Sequence, residues 1–153
     1  MATAVLIVED NEDDLFLLTR ALQNARVSNP IHTVRSGAEM TKYLMGIGTY
    51  RDRHTYPVPG LILLDLRLPD MQGTDVLRFL EGHTDLSRTT IVVWSSSVNP
   101  KDASELRDLG IKCRVLKPES AESLDQTIRG LNDLLAVEGL PPALDFEQSY
   151  SAK

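Results

Sequence analysis

The chain has 153 residues, of which 42% are hydrophobic and 25% are charged, and its formal net charge is -6 at pH 7. This composition is typical of one acidic globular domain, and it argues against direct nucleic-acid binding, which depends on lysine and arginine neutralising phosphates. Cys113 is the only cysteine, so an intrachain disulfide and a cysteine-based zinc site are both excluded. No apolar run approaches the roughly 18 residues of a membrane span, and we expect a cytoplasmic protein.

The first half of the chain predicts two strand-helix units. Residues 4–8 and 31–34 are short apolar runs typical of strands. Between them, Leu15, Leu18 and Leu22 recur at helical spacing. Asp13 and Asp14 occupy the expected first turn of this helix, where acidic side chains suit the helix dipole. A second helix is predicted after the second strand.

That second helix begins at Ser36, which has Glu39 three residues further on, the pattern of a capping box. Residues 46–60, rich in glycine and proline, predict a long surface loop with a solvated charge cluster at 51–53. Continuously apolar runs at 61–64 and 91–94 indicate strands covered on both faces, as in parallel sheets. The second of these runs belongs to a strand predicted over 90–94. The remaining predicted elements are a strand over 112–116 and helices over 74–80, 99–109 and 120–137.

Strands that alternate with helices predict an α/β fold, a doubly wound (βα)₅ parallel sheet with helices on both sides. Ligands of such sheets bind outside the carboxyl ends of the strands. We expect one domain over residues 1–138 and a tail over 139–153.

Polar side chains follow four of the predicted strands. Glu9 and Asp10 follow the first, Asp65 the third, Ser95 the fourth and Lys117 the fifth. Carboxylates that converge on one point repel each other unless a cation lies among them, and a set of hard oxygen ligands favours Mg²⁺. An aspartate can form an acyl phosphate, so Asp65 is a candidate nucleophile. The charge that develops on the transferred phosphoryl group would be stabilised by the metal on one side and by Lys117 and the Ser95 hydroxyl on the other.

Each of these residues also has an ordinary structural explanation. Asp10 or Asn11 would cap the first helix, Lys117 would be a solvated lysine and Ser95 a strand-end hydroxyl. Their joint placement at one edge of the sheet favours the functional interpretation.

Four motifs follow one another in a distinctive order: VLIVEDN at 5–11, LDLRLPDMQG at 64–73, then Ser95, then Lys117-Pro118. With them, residues 4 to about 137 resemble the receiver domain of two-component response regulators. The long loop at 46–60 and the acidic opening are most similar to the single-domain regulators that partner bacterial phytochrome histidine kinases.

The resemblance implies a flavodoxin-like fold with strand order 2-1-3-4-5 and a phosphoryl group accepted from a sensor histidine kinase. It further implies an Mg²⁺-dependent switch that signals through protein contacts and is not an enzyme beyond its own phosphorylation and slow dephosphorylation. The implied roles are Asp65 as phosphoacceptor, Ser95 as switch hydroxyl, Lys117 as phosphate-pairing lysine before a cis Pro118, and Glu9, Asp10, Asp65 and the Arg67 main-chain carbonyl as metal ligands.

The chain departs from the family pattern at three positions. Arg114 stands where the family usually carries an aromatic switch residue. Arg67 and Ser97 lack the amide and the carboxylate that help to position attacking water in rapid members, which predicts slow self-dephosphorylation.

Two rival functions remain open. One is a pseudo-receiver, a binding module that is never phosphorylated. The other is a phosphohydrolase of the haloacid-dehalogenase type. That family requires a second aspartate, as general acid, two residues after the nucleophile, where this chain has Arg67.

Two further expectations concern packing. Because successive strand residues point to opposite faces, Trp94 should lie against a helix while Ser95 faces the phosphate pocket. A homodimer is predicted through the last strand-helix units or the tail. It is motivated by the apolar residues of the last helix and of the tail, the latter having no obvious role in the core: Ile128, Leu131, Leu134, Leu135, Leu140, Leu144 and Phe146.

Overall fold

Five parallel strands form a single sheet in the order β2-β1-β3-β4-β5 in the computed structural model. The structure describes residues 3–72, 75, 78–79, 81–82, 88–95, 100–108, 111, 113–140 and 142–147. The predicted fold class and strand order are confirmed. The strands are β1 (Ala4–Val8), β2 (Ile31–Val34), β3 (Pro59–Leu64), β4 (Thr90–Ser95) and β5 (Cys113–Leu116).

Helices connect the strands and cover both faces of the sheet. Within the described residues they are α1 (Glu12–Asn24), α2 (Gly37–Met45), α3 (Pro100–Asp108), α4 (Ala121–Arg129) and α5 (Leu131–Val137), with a 3₁₀ turn at Gly48–Tyr50. None of these described helices has the length and apolar character needed to cross a membrane.

Three sequence expectations differ from the structure or fall outside it. The helix predicted over 120–137 is interrupted at Gly130, where φ is -86° and ψ is 0°. Glycine is a poor helix former, which explains the interruption. Strand β3 begins two residues before the prediction, at Pro59, a position that proline tolerates as the first residue of a strand. The helix predicted over 74–80 lies largely outside the described residues.

The two faces of the sheet carry separate hydrophobic cores. In β1, Val5 and Ile7 face a core completed by α1, α4 and α5. Leu6 and Val8 face a second core completed by α2 and α3. Trp94 is 4% exposed and belongs to the first core, which confirms that its side chain packs against helices.

The segment after α5 folds back onto this first core. Leu144 is buried in the cluster, and Phe146 pairs with Val27 in an isolated antiparallel bridge. Asn132 holds the segment: its side-chain amide donates to the Leu144 carbonyl over 2.9 Å. The expectation that the apolar residues of the tail have no role in the core is therefore wrong.

The loop between α2 and β3 is held by Arg53. Its guanidinium donates hydrogen bonds to the carbonyl oxygens of Tyr43 over 2.8 Å, Leu44 over 2.6 Å and Tyr56 over 3.0 Å. Because the last carbonyls of a helix have no partner within it, Arg53 closes the end of α2. The prediction that the charge cluster at 51–53 is only solvated is wrong for Arg53.

Candidate functional site

The carboxyl ends of β1 and β3 bring the predicted acidic residues together. Val8 pairs with Leu64, and the Asp65 N–H donates to the Val8 carbonyl over 3.0 Å, which sets the two strand ends side by side. Carboxylate oxygens of Glu9, Asp10 and Asp65 lie within 4.8 Å of one another. Glu9 and Asp65 are buried, whereas Asp10 is exposed. The edge of the sheet therefore presents three convergent carboxylates with an opening to solvent.

Lys117 enters this group from the end of β5. The backbone N–H of Lys117 donates to the Ser95 carbonyl over 2.8 Å, so β4 sets the position of the Lys117 main chain. Its ammonium donates to Glu9 Oε1, to Asp14 Oδ2 over 2.9 Å and to Asp65 Oδ2 over 3.0 Å. A lysine ammonium has three N–H donors, so these three carboxylates use all of them.

Burial and mutual repulsion shift the ionisation of the site. Burial raises the pKa of Glu9 to about 7, and the adjacent Asp65 carboxyl adds to the rise while Lys117 opposes it. Burial lowers the pKa of Lys117, but its hydrogen bonds to the three carboxylates outweigh burial and raise the pKa above its usual value. The lysine therefore stays charged, and a single ammonium does not fully compensate the acids. Additional positive charge would stabilise this group.

The donor set fits a divalent cation. Glu9, Asp10 and Asp65 supply hard oxygen atoms, the ligands that Mg²⁺ prefers. The Arg67 N–H donates to Asp65 Oδ1 over 2.9 Å, which holds the Arg67 main chain beside the carboxylates. The three acidic residues that the sequence implies as metal ligands thus lie together at one edge of the sheet.

Ser95 and Trp94 end β4 next to Lys117. Ser95 is 1% exposed and pairs with Leu116 of β5. Trp94 and Lys117 both line a small cavity of about 40 Å³ between α1 and the start of α4. Arg114, at the position of the missing aromatic residue, is exposed on β5.

The peptide bond before Pro118 is trans, so the implied cis bond is wrong for this structure. The trans isomer is the more stable form of most bonds that precede proline.

Sequence reasoning missed the role of Asp14. Asn11, one of the two capping candidates, is the N-cap of α1, and its side chain accepts the Asp14 N–H over 2.9 Å. This capping turn directs Asp14 toward Lys117. The signal in the sequence was a further acid four residues after Asp10.

A doubly wound sheet with three acids and a lysine at its carboxyl edge is the arrangement expected of a receiver domain. The chain belongs to the response regulator receiver domain family, whose model matches residues 5–129.

Among its relatives, the chain is 30% identical to the response regulator Rcp1 of Synechocystis sp. over 140 residues, which cover 91% of this chain and 93% of that protein. It is also similar to the solved structure of the phosphorylated cyanobacterial phytochrome response regulator RcpA, with a TM-score of 0.78, 34% identity and coverage of 87% of this chain and 93% of that chain. The Mn²⁺-bound form of Rcp1 has a TM-score of 0.75 at 29% identity, over 86% of this chain and 92% of that chain. The chain is therefore related to phytochrome response regulators.

Proposed function

We propose that the chain is a single-domain response regulator that accepts a phosphoryl group on Asp65 in an Mg²⁺-dependent reaction. The observation that carries the proposal is the contact of one ammonium, Lys117 Nζ, with the Asp65 carboxylate and with the buried Glu9. This arrangement supports the proposal because it brings the candidate nucleophile Asp65, the buried acid Glu9 and a fixed positive charge together.

In the proposed reaction, a carboxylate oxygen of Asp65 attacks the phosphorus of the donor. A new O–P bond forms while the bond from phosphorus to the leaving group breaks, and the leaving group departs with the electron pair. Lys117 then pairs with a phosphoryl oxygen in place of the Asp65 oxygen that it contacts now. The hydroxyl of Ser95 is the second donor to the phosphoryl group.

Glu9, Asp10, Asp65 and the main-chain carbonyl of Arg67 would hold the metal. When bound, the metal supplies positive charge that offsets both the carboxylates and the phosphoryl oxygens. Asp10 is the exposed one of the three carboxylates, so exchange of the ion with solvent would take place on its side.

We propose a sensor histidine kinase, more specifically one of the phytochrome type, as the phosphodonor. The similarity to Rcp1 and to the phytochrome regulator RcpA supports this choice. Output would pass through phosphorylation-dependent contacts with a protein partner. Self-dephosphorylation is proposed to be slow, because Arg67 does not offer the amide found in rapid members.

Homodimer formation stays a prediction. Part of its motivation is lost, since Leu144 is buried within its own chain, whereas Leu134 and Val137 of α5 are 42% and 83% exposed. Light scattering that gives 17 kDa, the mass of one chain, across micromolar concentrations with and without a phosphate mimic would contradict the dimer.

Intact-mass analysis after incubation with acetyl phosphate and Mg²⁺ tests the proposed function. We expect one added phosphoryl group in the wild type, none in Asp65→Asn, and wild-type incorporation in the control Asp52→Asn, which changes an exposed acid of the α2–β3 loop. Equal incorporation in Asp65→Asn would place the chemistry elsewhere. Metal binding without any incorporation would instead identify a pseudo-receiver.

A further inference from the structure

The loop that follows Asp65 returns to the beginning of α2. Arg67 and Gln72 form an antiparallel bridge that closes the loop, and Asp70 lies near its tip. Asp70 Oδ1 accepts the Gly37 N–H over 2.8 Å, and Asp70 Oδ2 accepts the Ala38 N–H over 2.9 Å. Both oxygens of one carboxylate are thus committed to the first turn of a helix distant in sequence.

Asp70 completes a cap that Ser36 makes only in part. Ser36 Oγ accepts the Glu39 N–H over 3.1 Å, which leaves the N–H groups of the two preceding residues to Asp70. The Glu39 carboxylate accepts the N–H of Arg35 rather than that of Ser36, so the predicted capping box is only half formed. A negative charge at this end of α2 is also favoured by the helix dipole.

Met71 adds a second contact between the loop and the helix. A Cβ atom on Gly37 would lie 2.2 Å from Met71 Sδ, so Met71 packs directly on the glycine backbone. Met71 is also partly buried against the core that contains Met40 of α2. The tip of the loop is therefore attached to α2 by one bidentate carboxylate and one apolar side chain.

We propose that Asp70 is a positioning residue for the metal site. It ties the tip of the loop to α2, while at the other end of the loop the Arg67 N–H is bonded to Asp65. Held at both ends, the loop would keep the Arg67 main-chain carbonyl beside the carboxylates, where the proposed function requires it. The inference rests on the proposed function, in which that carbonyl is a metal ligand.

Calorimetric titration with Mg²⁺ at about 0.15 M salt, where charges beyond roughly 8 Å are screened, tests this role. We expect Asp70→Asn to weaken Mg²⁺ binding roughly tenfold, a size typical of losing a group that orients a metal ligand. At saturating Mg²⁺, the phosphorylation rate of this variant should return to the wild-type value. Asp70 is exposed and Asn has the same size, so the fold should persist. Met71→Ala, which loosens the same attachment, should shift the affinity in the same direction.

Two control variants separate positioning from other effects. Ser36→Ala removes the other cap of α2 without touching the loop. Asp52→Asn removes an exposed carboxylate that likewise accepts two local hydrogen bonds, from the His54 N–H over 2.9 Å and from Thr55 Oγ1 over 3.0 Å. Both controls should keep wild-type Mg²⁺ affinity.

Equal weakening in Ser36→Ala and Asp70→Asn would overturn the proposal, because the effect would then come from helix stability alone. Unchanged affinity in both Asp70→Asn and Met71→Ala, with normal binding by the wild type, would overturn the positioning role and leave the proposed function standing. A wild type that binds no Mg²⁺ would overturn the proposed function and the positioning role together.

Discussion

Asp14, in the first turn of α1, holds the ammonium of Lys117 over a distance of 2.9 Å. Its side chain is 40% exposed, whereas the other two acids on the lysine are 1% and 7% exposed. In the proposed reaction a phosphoryl oxygen replaces the Asp65 oxygen, and the contact of Lys117 with Asp14 can persist. We therefore expect Asp14 to act as a tether that keeps Lys117 directed at the proposed phosphorylation site.

The first prediction concerns this tether. Asp14→Ala should slow phosphorylation of Asp65 about fivefold, because the loss of about 1 kcal/mol of restraint on Lys117 raises the barrier by that amount. Asp14→Asn keeps a hydrogen-bond acceptor and should retain most of the rate. The measurement is the time course of phosphoryl incorporation from acetyl phosphate, followed by intact mass.

Asp13→Ala is the matched control, since Asp13 is an exposed acid of the same helical turn with no ion pair to Lys117 in the described part of the chain. An equal slowing in Asp13→Ala would mean that loss of negative charge, not loss of the tether, changes the rate.

The second prediction uses Trp94 as a reporter. The indole shares the 40 Å³ cavity with Lys117 and precedes Ser95 in β4, so movement at the phosphorylation site should change its surroundings. Mg²⁺ followed by beryllofluoride should alter the fluorescence saturably in the wild type, and Asp65→Asn should be nearly flat at the second step. An unchanged wild-type spectrum during proven phosphate uptake would show that β4 is not coupled to the switch.

The third prediction concerns the Arg53 cap of α2. Arg53→Ala removes the Arg53 donor from the carbonyls of Tyr43, Leu44 and Tyr56, of which Tyr43 keeps the Gly46 N–H over 3.1 Å. The substitution should lower the free energy of unfolding by about 2 to 3 kcal/mol. Urea denaturation measures the difference. Arg51→Ala, in the same loop but exposed, should stay within about 0.5 kcal/mol of the wild type. Equal effects of the two substitutions would contradict a specific capping role.

The fourth prediction tests whether the C-terminal segment is part of the core. Leu144→Ala should destabilise the fold by about 2 to 4 kcal/mol, since Leu144 is 4% exposed. Leu134→Ala removes the same atoms from a 42% exposed position and should cost less than about 1 kcal/mol. Urea midpoints of the two variants decide the matter, and coincident midpoints would argue against a packed segment.

The fifth prediction is a pH dependence that arises from His32. Burial lowers the pKa of its imidazole below 6.5, and Nε2 is buried without a hydrogen-bond partner within the described residues. The unfolded chain therefore binds the proton more readily, so this group stabilises the fold above pH 6.5 and loses that contribution as the pH falls toward its lowered pKa.

Compared with the wild type, His32→Phe should gain free energy of unfolding as the pH falls from 7 to 5, measured by urea denaturation without Mg²⁺. The raised pKa of Glu9 acts in the opposite direction over the same range, but it is common to both proteins and leaves their difference unchanged. His54→Gln, which changes an exposed histidine of the loop, should keep the wild-type slope. Parallel curves for His32→Phe and the wild type would show that His32 does not set the dependence.

Much of the architecture could be predicted from local pattern. Continuous apolar runs identify the buried strands, and the rule that ligands bind at the carboxyl ends of parallel strands predicts that Glu9 and Asp65 lie together. These inferences succeed because the period of the side chains and the direction of parallel strands determine which residues meet.

The remainder depended on contacts between segments distant in sequence. Asp70 lies 33 residues from Gly37, Arg53 closes a helix from within an irregular loop, and Leu144 packs after a chain reversal. No periodicity encodes such pairs, since each depends on the path of a loop. Asp14 was placed in the correct helical turn, but its partner Lys117, which follows β5, could not be predicted from the helix alone.

Within the described part of the chain, the tyrosines and the tryptophan belong to different cores. Tyr43, Tyr50 and Tyr56 form one ring cluster, with neighbouring centroids 5.0 to 5.8 Å apart, on the α2 face of the sheet. The single tryptophan belongs to the opposite face. Near-ultraviolet circular dichroism from the tyrosines thus reports on one face of the sheet, and fluorescence emission from Trp94 reports on the other. Their transitions in denaturant should coincide if the sheet melts as one cooperative unit, and a gap between them would reveal that one layer opens first.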